Sequence, residues 1–361
     1  MTGNTAGKSG GRLTSKAKKW MLAGGCVVIG CVLAAGLYFG NYLSDNKIPN
    51  FRRSTVLYVY PDTGVDEVLQ NIMDSCKVVR PKSLRRTFAD KQVAQYLKPG
   101  RYVVEPEHTS VYVARMLNNG WQTPTKLVLS GTLRQKGVIA RKISSQLMID
   151  SATVASALDD PELLSKYGFT PQNVFSLIIP DSYEMYWTAG ITDILDSQKK
   201  AYDAFWTPDR KKQAEAQGLT QEEVSIVASI VKGESNYEPE FPKIAGVYLN
   251  RLRKGMKLQA DPTIAFCYDY SINRILKKHL KYESPYNTYL NNGLPPGPIC
   301  VPTKACLEAV LSPDNHGYLF FCANSNFDGS HLFAVTYDQH LKNARAFQSA
   351  LNERARARAK K

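Results

Sequence analysis

Residues 226–237 read IVASIVKGESNY, an apolar run that ends in a lysine, a glycine and a glutamate. The helix it belongs to has a defined start. Thr220 and Glu223 have the T-x-x-E spacing of a capping box, and Leu219 with Val224 has that of a hydrophobic staple. Counted from Thr220, Val227, Ile230 and Val231 fall on one face, and Glu234 follows them at i+7, i+4 and i+3. Lys232 and Glu238 fall off that face. A carboxylate on an apolar stripe is either paired or partly desolvated, and desolvation raises its pKa toward neutrality, the condition a general acid needs. In the structural alternative, Glu234 caps the next segment or pairs with Arg251 or Arg253; this stretch alone leaves both open.

The segments that follow carry polar groups in turns. FPKIAGVYLNRLRKG (241–255) predicts a helix closed by Gly255 at its C′ position. MKLQADPTIAFCY, SPYNTY and NNGLPPGPI then concentrate Asn, Gln, Tyr and Asp between short apolar runs. Aromatic rings with short polar side chains hold sugar hydroxyls and amides. The same residue types also form turns for their own sake.

Toward the N-terminus, residues 20–44 (WMLAGGCVVIGCVLAAGLYFGNYLS) contain no charged side chain. At about 1.5 Å per residue, roughly twenty of them cross a hydrocarbon core of about 30 Å. The run is longer than a signal-peptide core and ends in Tyr38, Phe39 and Tyr42, so it predicts a retained single-pass anchor. Lys8, Arg12, Lys16, Lys18 and Lys19 precede it with no acidic residue. The positive-inside rule then places residues 1–19, a basic tail, in the cytoplasm and everything after about residue 45 outside the inner membrane.

The chain has 361 residues, 43% of them apolar, and a formal charge of +14. The N-terminal tail supplies five of those charges and the basic C-terminal tail (351–361) four, leaving +5 for residues 20–350. That excess, without aromatic and basic interleaving, predicts no nucleic-acid groove. Of the seven cysteines, Cys26 and Cys31 lie in the anchor, and Cys76, Cys267, Cys300, Cys306 and Cys322 are scattered. Small buried side chains are expected, with one bridge, Cys300 to Cys306, left open. No spacing predicts a metal site or a cofactor; His316, His331 and His340 lack a ligand arrangement, and the last two are expected to stabilise the domain.

Periodicity beyond the anchor predicts a polar linker (46–54), a strand VLYVYP, a helix DEVLQNIM, a second helix SLRRTFADKQVAQYL and a strand RYVVEP. A helix TSVYVARMLNNG and a strand TKLVLSG follow. Helices run from about 135 to 170, with Asp160-Pro161 as a cap, and the chain stays mainly helical to about 215. The fold class is α+β.

IIPDSY (178–183), ASIVKGES (228–235), VYLNRLRKGMKLQADPT (247–263), SPYNTYLNNGLPPGPI (284–299), YLFF (318–321) and SHLFAVTYDQH (330–340) occur in this order. Together they resemble the YceG-like family of endolytic murein transglycosylases. The resemblance implies a LysM-like module over 55–150 and a larger mixed catalytic domain over 151–345. It further implies cleavage of the MurNAc–GlcNAc bond of peptidoglycan glycan strands with 1,6-anhydro ends, and cell-wall synthases as partners. Glu234 matches the second of two glutamates the family usually carries in this segment, and its place on the apolar face makes it the catalytic candidate; were the family's acid the first, this chain would be inactive. Asn250, Gln259, Tyr286, Asn287 and Tyr289 match substrate contacts, and Asp261 is assigned to the turn or to binding. Two departures stand out: Lys232 occupies a position where the family commonly has a first glutamate, and LSGTLR (129–134) replaces its PEG turn. A muramidase-type hydrolase using Glu234 with Asp261, and a non-catalytic peptidoglycan-binding scaffold, remain as alternatives.

Overall fold

The computed structural model describes residues 15–359. The basic residues Lys8 and Arg12, and Lys360 with Lys361, lie outside the described residues. The chain divides into two compact units at Thr123/Pro124.

The first unit opens with α1 (Ser15–Asn46), a helix long and apolar enough to cross a membrane. Its apolar side chains are exposed, Trp20, Leu33, Tyr38 and Phe39 among them. At its C-terminal end Asp45 is buried, where a carboxylate opposes the helix dipole. Arg86 offsets that cost with two hydrogen bonds to Asp45, 3.0 and 2.7 Å, and the Ser83 hydroxyl adds another. Two residues of the expected linker turn inward. Asn50 and Phe51 are buried, and the Asn50 amide donates to Ser110 Oγ and the Arg80 carbonyl while its oxygen accepts from the Arg80 amide.

Strand β1 (Thr55–Val59) leads to α2 (Val65–Ser75), α3 (Pro81–Asp90) and α4 (Val93–Tyr96), then to β2 (Gly100–Val104) and α5 (Ser110–Asn119). The two strands pair antiparallel with Val59 opposite Gly100. The helix expected over SLRRTFADKQVAQYL is two helices, because Gln92 adopts left-handed φ of 51° between them. Leu57, Val68, Ile72, Leu84, Tyr102 and Leu117 fill the core of this unit.

The second unit begins with β3 (Thr125–Leu129), which pairs antiparallel with β4 (Asp181–Met185). That pairing ties 124–150 to the second unit, and the stretch to 215 is mainly helical, with β4 as its strand. Between the strands lie α6 (Lys136–Ser144), α7 (Ser151–Ala157) and α8 (Pro161–Ser165), the last capped by Asp160 as its sequence predicts. Then come α9 (Ile191–Phe205), α10 (Pro208–Ala216), α11 (Gln221–Glu234), α12 (Phe241–Arg253), α13 (Asp261–Cys267) and α14 (Lys304–Leu311). A hairpin of β5 (Phe320–Ala323) and β6 (His331–Ala334) precedes α15 (Tyr337–Ala359), which includes Arg354 and Arg356 of the basic tail. All seven cysteines are free thiols, so no bridge joins Cys300 to Cys306.

Helix α11 is the centre of the larger core. Its capping box forms as predicted: Thr220 Oγ1 accepts from the Glu223 amide, and the Glu223 carboxylate from the Thr220 amide. Every residue from Val224 to Val231 is buried. The helix is therefore enclosed on all sides by α12, α13 and α14, rather than apolar along one stripe.

Candidate active site

Because α11 is enclosed, it delivers its last residue into the protein instead of to solvent. Two contacts fix that end. Ser229 Oγ donates to the Ile226 carbonyl at 2.7 Å and accepts from the Ile299 amide at 3.0 Å. Gly233 lies so close to α13 that an added Cβ would meet Pro262 Cβ at 2.5 Å. Lys232, Gly233 and Glu234 are all half-buried, so burial alone does not separate the lysine from the glutamate. Their partners do. Lys232 Nζ donates to Asn236 Oδ1 at 2.9 Å, and Tyr248 on α12 donates its hydroxyl to Glu234 Oε1 at 2.5 Å.

Glu234 opens into a cleft of about 390 Å³. One side is built by Tyr248 and Arg251 of α12, a second by Leu258, Gln259, Asp261 and Tyr289, and the third by Phe320, Phe321 and His331 of the β5–β6 hairpin. Burial pushes the Glu234 carboxyl up to about 7, with the Asp261 charge adding to the rise and the Tyr248 hydrogen bond and Arg251 opposing it. The carboxyl is thus poised between its two forms near neutral pH.

The pairing with Arg251 or Arg253 that the sequence left open does not form. Arg251 is buried and spends its guanidinium on the Leu319 and Leu258 carbonyls, 2.6 and 2.7 Å, over the Phe320 ring at 5.2 Å. Arg253 bonds to Asn250 Oδ1 and Gln217 Oε1. Arg251 therefore acts on Glu234 through space, as a fixed positive charge that favours the carboxylate without neutralising it.

Of the residues expected to touch substrate, Gln259, Asp261 and Tyr289 line the cleft with Glu234. Tyr289 donates to Asp261 Oδ1 at 2.6 Å. Gln259 sits at φ of 48°, an uncommon conformation for a side-chain-bearing residue. The loop is held there by its backbone, since the Gln259 and Ala260 amides bond to the Thr288 carbonyl and Thr288 Oγ1. Such strain at a cleft wall is typical of functional positions.

Asn250, Tyr286 and Asn287 lie elsewhere. Asn250 donates to the His316 and Tyr318 carbonyls, clamping the approach to β5. Asn287 is fully buried, donates to the Leu280 and Tyr282 carbonyls and accepts from the Tyr289 amide, so it shapes the loop that presents Tyr289. Tyr286 packs on Phe266, ring centroids 4.6 Å apart, beside a second cavity lined by Arg134 and Tyr270.

Sequence reasoning passed over Tyr248 and the hairpin. Tyr248 stands fourteen residues after Glu234, inside an apolar helix face, where a tyrosine reads as core. His331, expected only to stabilise the domain, does bond its Nδ1 to the buried Glu240 carboxylate at 2.8 Å, but its ring also lines the cleft. His340 stacks on Phe320 and lines it as well. No group of three His, Cys, Asp or Glu side chains that could hold a metal ion occurs among the described residues.

Comparison with known proteins gives a consistent picture. A family model described as the YceG-like family matches residues 57–346. An endolytic murein transglycosylase of Bacillus subtilis (strain 168) is 35% identical over 164 residues, covering 45% of this chain and 45% of that protein. One of Streptococcus pneumoniae serotype 2 is 24% identical over 356 residues, covering 89% of this chain and 64% of that protein. The chain therefore spans less than two thirds of these relatives. A crystal structure of a YceG-like protein from Listeria monocytogenes aligns with a TM-score of 0.51 at 26% identity, over 81% of this chain and 99% of that one.

Proposed function

We propose that this chain, which belongs to the YceG-like family, is a membrane-anchored lytic transglycosylase that cleaves the MurNAc–GlcNAc bond within peptidoglycan strands. The observation that carries the reading is one carboxyl, Glu234, bonded by the Tyr248 hydroxyl in a cleft walled by aromatic and polar groups, where burial pushes it up to about 7. The relatives named endolytic murein transglycosylases support the substrate class.

The reaction needs one group that serves twice. As the neutral acid, Glu234 donates its proton to the glycosidic oxygen as the bond to C1 breaks. As the carboxylate, it takes the proton of the C6 hydroxyl of the same MurNAc residue, and that oxygen attacks C1 to close the 1,6-anhydro ring. The proton is returned and no water is consumed. A nucleophile within the same sugar has a high effective concentration, so a second catalytic carboxylate is not required.

The surroundings of Glu234 suit both halves. Desolvation favours the acid before cleavage, whereas the Tyr248 hydroxyl and the Arg251 charge favour the carboxylate after it. Asp261 is engaged by Tyr289, and we assign it to substrate binding with Gln259 and Tyr289. Asn250, Tyr286 and Asn287 we assign to positioning these elements. The strand, helices and strand of the first unit support reading it as a LysM-like module for glycan contact. We read α1 as the retained anchor, with the N-terminus cytoplasmic, everything after about residue 45 outside the inner membrane, and cell-wall synthases working on the same strand.

Digestion of purified peptidoglycan followed by mass spectrometry of the products tests the proposal. Anhydro-MurNAc ends are expected. Reducing ends would instead assign a hydrolase using Glu234 with Asp261, and unchanged strands a binding scaffold.

A further inference from the structure

Beside the C-terminal end of α1 lies a cleft of about 410 Å³ that the glycan chemistry does not use. It is formed entirely within the first unit, between the last turns of α1 and the helices α3 and α5. Tyr38, Asn41 and Tyr42 come from α1, Arg86, Thr87 and Asp90 from α3. Lys91, just past the end of α3, and Arg115 of α5 complete its cationic lining.

Two features show that this cleft is built for an anion. Thr87 lines the cleft and is 1% exposed, and its Oγ1 has no hydrogen-bond partner within the protein. A buried hydroxyl left in that state is costly unless something outside the chain engages it. The charges are likewise unbalanced: three cations face two carboxylates. Arg86 is consumed by Asp45, which leaves Lys91 and Arg115 opposite Asp90. The side chains of Lys91 and Arg115 form no hydrogen bond or ion pair among the described residues. The site therefore has one positive charge in excess, a hydroxyl donor and two further cationic donors, which matches a singly charged phosphodiester.

The position of the cleft selects the source of that phosphodiester. It starts at Tyr38, where the uncharged run of α1 gives way to aromatic and polar residues, the register of a membrane interface. If α1 spans the membrane as proposed above, the cleft lies among the lipid headgroups and its mouth faces lipid. We infer that it binds the phosphate of a membrane phospholipid, Thr87, Lys91 and Arg115 holding the headgroup while Tyr38 and Tyr42 flank the chains. A bound lipid would join the last turns of α1 to α3 and α5 in addition to the Asp45–Arg86 pair, fixing the first unit to the bilayer surface. The inference rests on the anchor reading and is independent of the glycan chemistry.

The test uses the full-length chain in dodecyl maltoside, with adducts read by native mass spectrometry. Three probes are titrated: dioleoylphosphatidylglycerol, dioleoylglycerol as the phosphate-free analogue, and inorganic phosphate. One phosphatidylglycerol per chain is expected, with occupancy at fixed lipid falling about tenfold in the Lys91→Glu, Arg115→Glu double variant. Thr87→Val should weaken the adduct while raising the melting temperature of the lipid-free protein, a combination that a purely structural threonine does not give. Equal uptake of dioleoylglycerol, or an undiminished adduct in the double variant, overturns the site. Displacement of the lipid by inorganic phosphate at equal concentration overturns the lipid as its occupant. Membrane-extracted chain lacking residues up to 44 also overturns it, because the α1 wall is then gone. Peptidoglycan cleavage by the double variant should match the wild type, so loss of either reading leaves the other standing.

Discussion

The hydroxyl of Tyr248 lies 2.5 Å from Oε1 of Glu234 and joins α12 to the end of α11. Both groups are enclosed, and each alters the other: burial raises both, and the shared hydrogen bond lowers the glutamate while raising the tyrosine. This pair, together with Arg251, sets the balance between the acid and base forms of Glu234.

Glu234→Gln keeps the volume and an acceptor for Tyr248 but removes the transferable proton. Cleavage should fall by about 10²- to 10⁴-fold, with the melting temperature at or above that of the wild type. Retained product formation in the peptidoglycan digest would refute the assignment.

The pH dependence follows from the same group. With the carboxyl pushed up to about 7, kcat/KM should be level below that value and fall about tenfold per pH unit above it as the acid form is lost. The stability effect has a definite sign. A carboxyl whose folded pKa is raised binds its proton more tightly in the folded state, so its contribution is fully present below the ordinary value of 4.5 and is lost as pH rises through about 7. Melting curves of wild type and Glu234→Gln should therefore diverge between those limits, with the variant the more stable at high pH.

Tyr248→Phe removes the hydrogen bond that lowers the Glu234 pKa. The alkaline limb of the rate profile should move to higher pH, while the maximum rate drops because the carboxylate form is less well stabilised. A limb that stays in place, or moves to lower pH, would show that Tyr248 does not tune the carboxyl.

Gly233→Ala should damage the site without touching its chemistry. The new methyl would stand 2.5 Å from Pro262 Cβ, so α11 and α13 must separate, at about 1–3 kcal/mol as for other overpacked cores. Asp261 begins α13. Denaturant unfolding should show the lower stability, and kcat should fall more than twofold.

Lys232→Ala addresses the position where the family commonly carries another glutamate. The half-buried lysine bonds to Asn236 through its Nζ. Turnover should stay within about threefold of wild type, in keeping with ~0.5 kcal/mol for such contacts. A loss as large as that of Glu234→Gln would assign the lysine a role in the reaction.

Local order was legible in the residues themselves. The uncharged run of α1, the Thr220–Glu223 capping box, the Asp160-Pro161 cap and the Gly255 terminus rest on interactions within about four residues, which spacing encodes directly. The phase that brings Glu234 into line with Val227, Ile230 and Val231 was legible too, because a capped start fixes the phase of a helix. The stripe on which it was placed was too narrow a description: α11 is buried on every side, and periodicity cannot register enclosure by neighbours from distant sequence. For the same reason the sequence does not show that Asn50 donates to the Arg80 carbonyl and Ser110 Oγ, or that Asn287 donates to the Leu280 and Tyr282 carbonyls.

The sequence by itself determined that a capped apolar helix ends in a carboxylate at Glu234, that an uncharged run lies near the N-terminus, and that the chain mixes helices with short strands. Only the tertiary structure decided what that carboxylate meets. Tyr248, Arg251, Gln259 and the β5–β6 hairpin reach it from three separate segments, and the shift of its pKa comes from the water they exclude and the charges they hold nearby. Those are distances between elements, and no spacing along the chain fixes them.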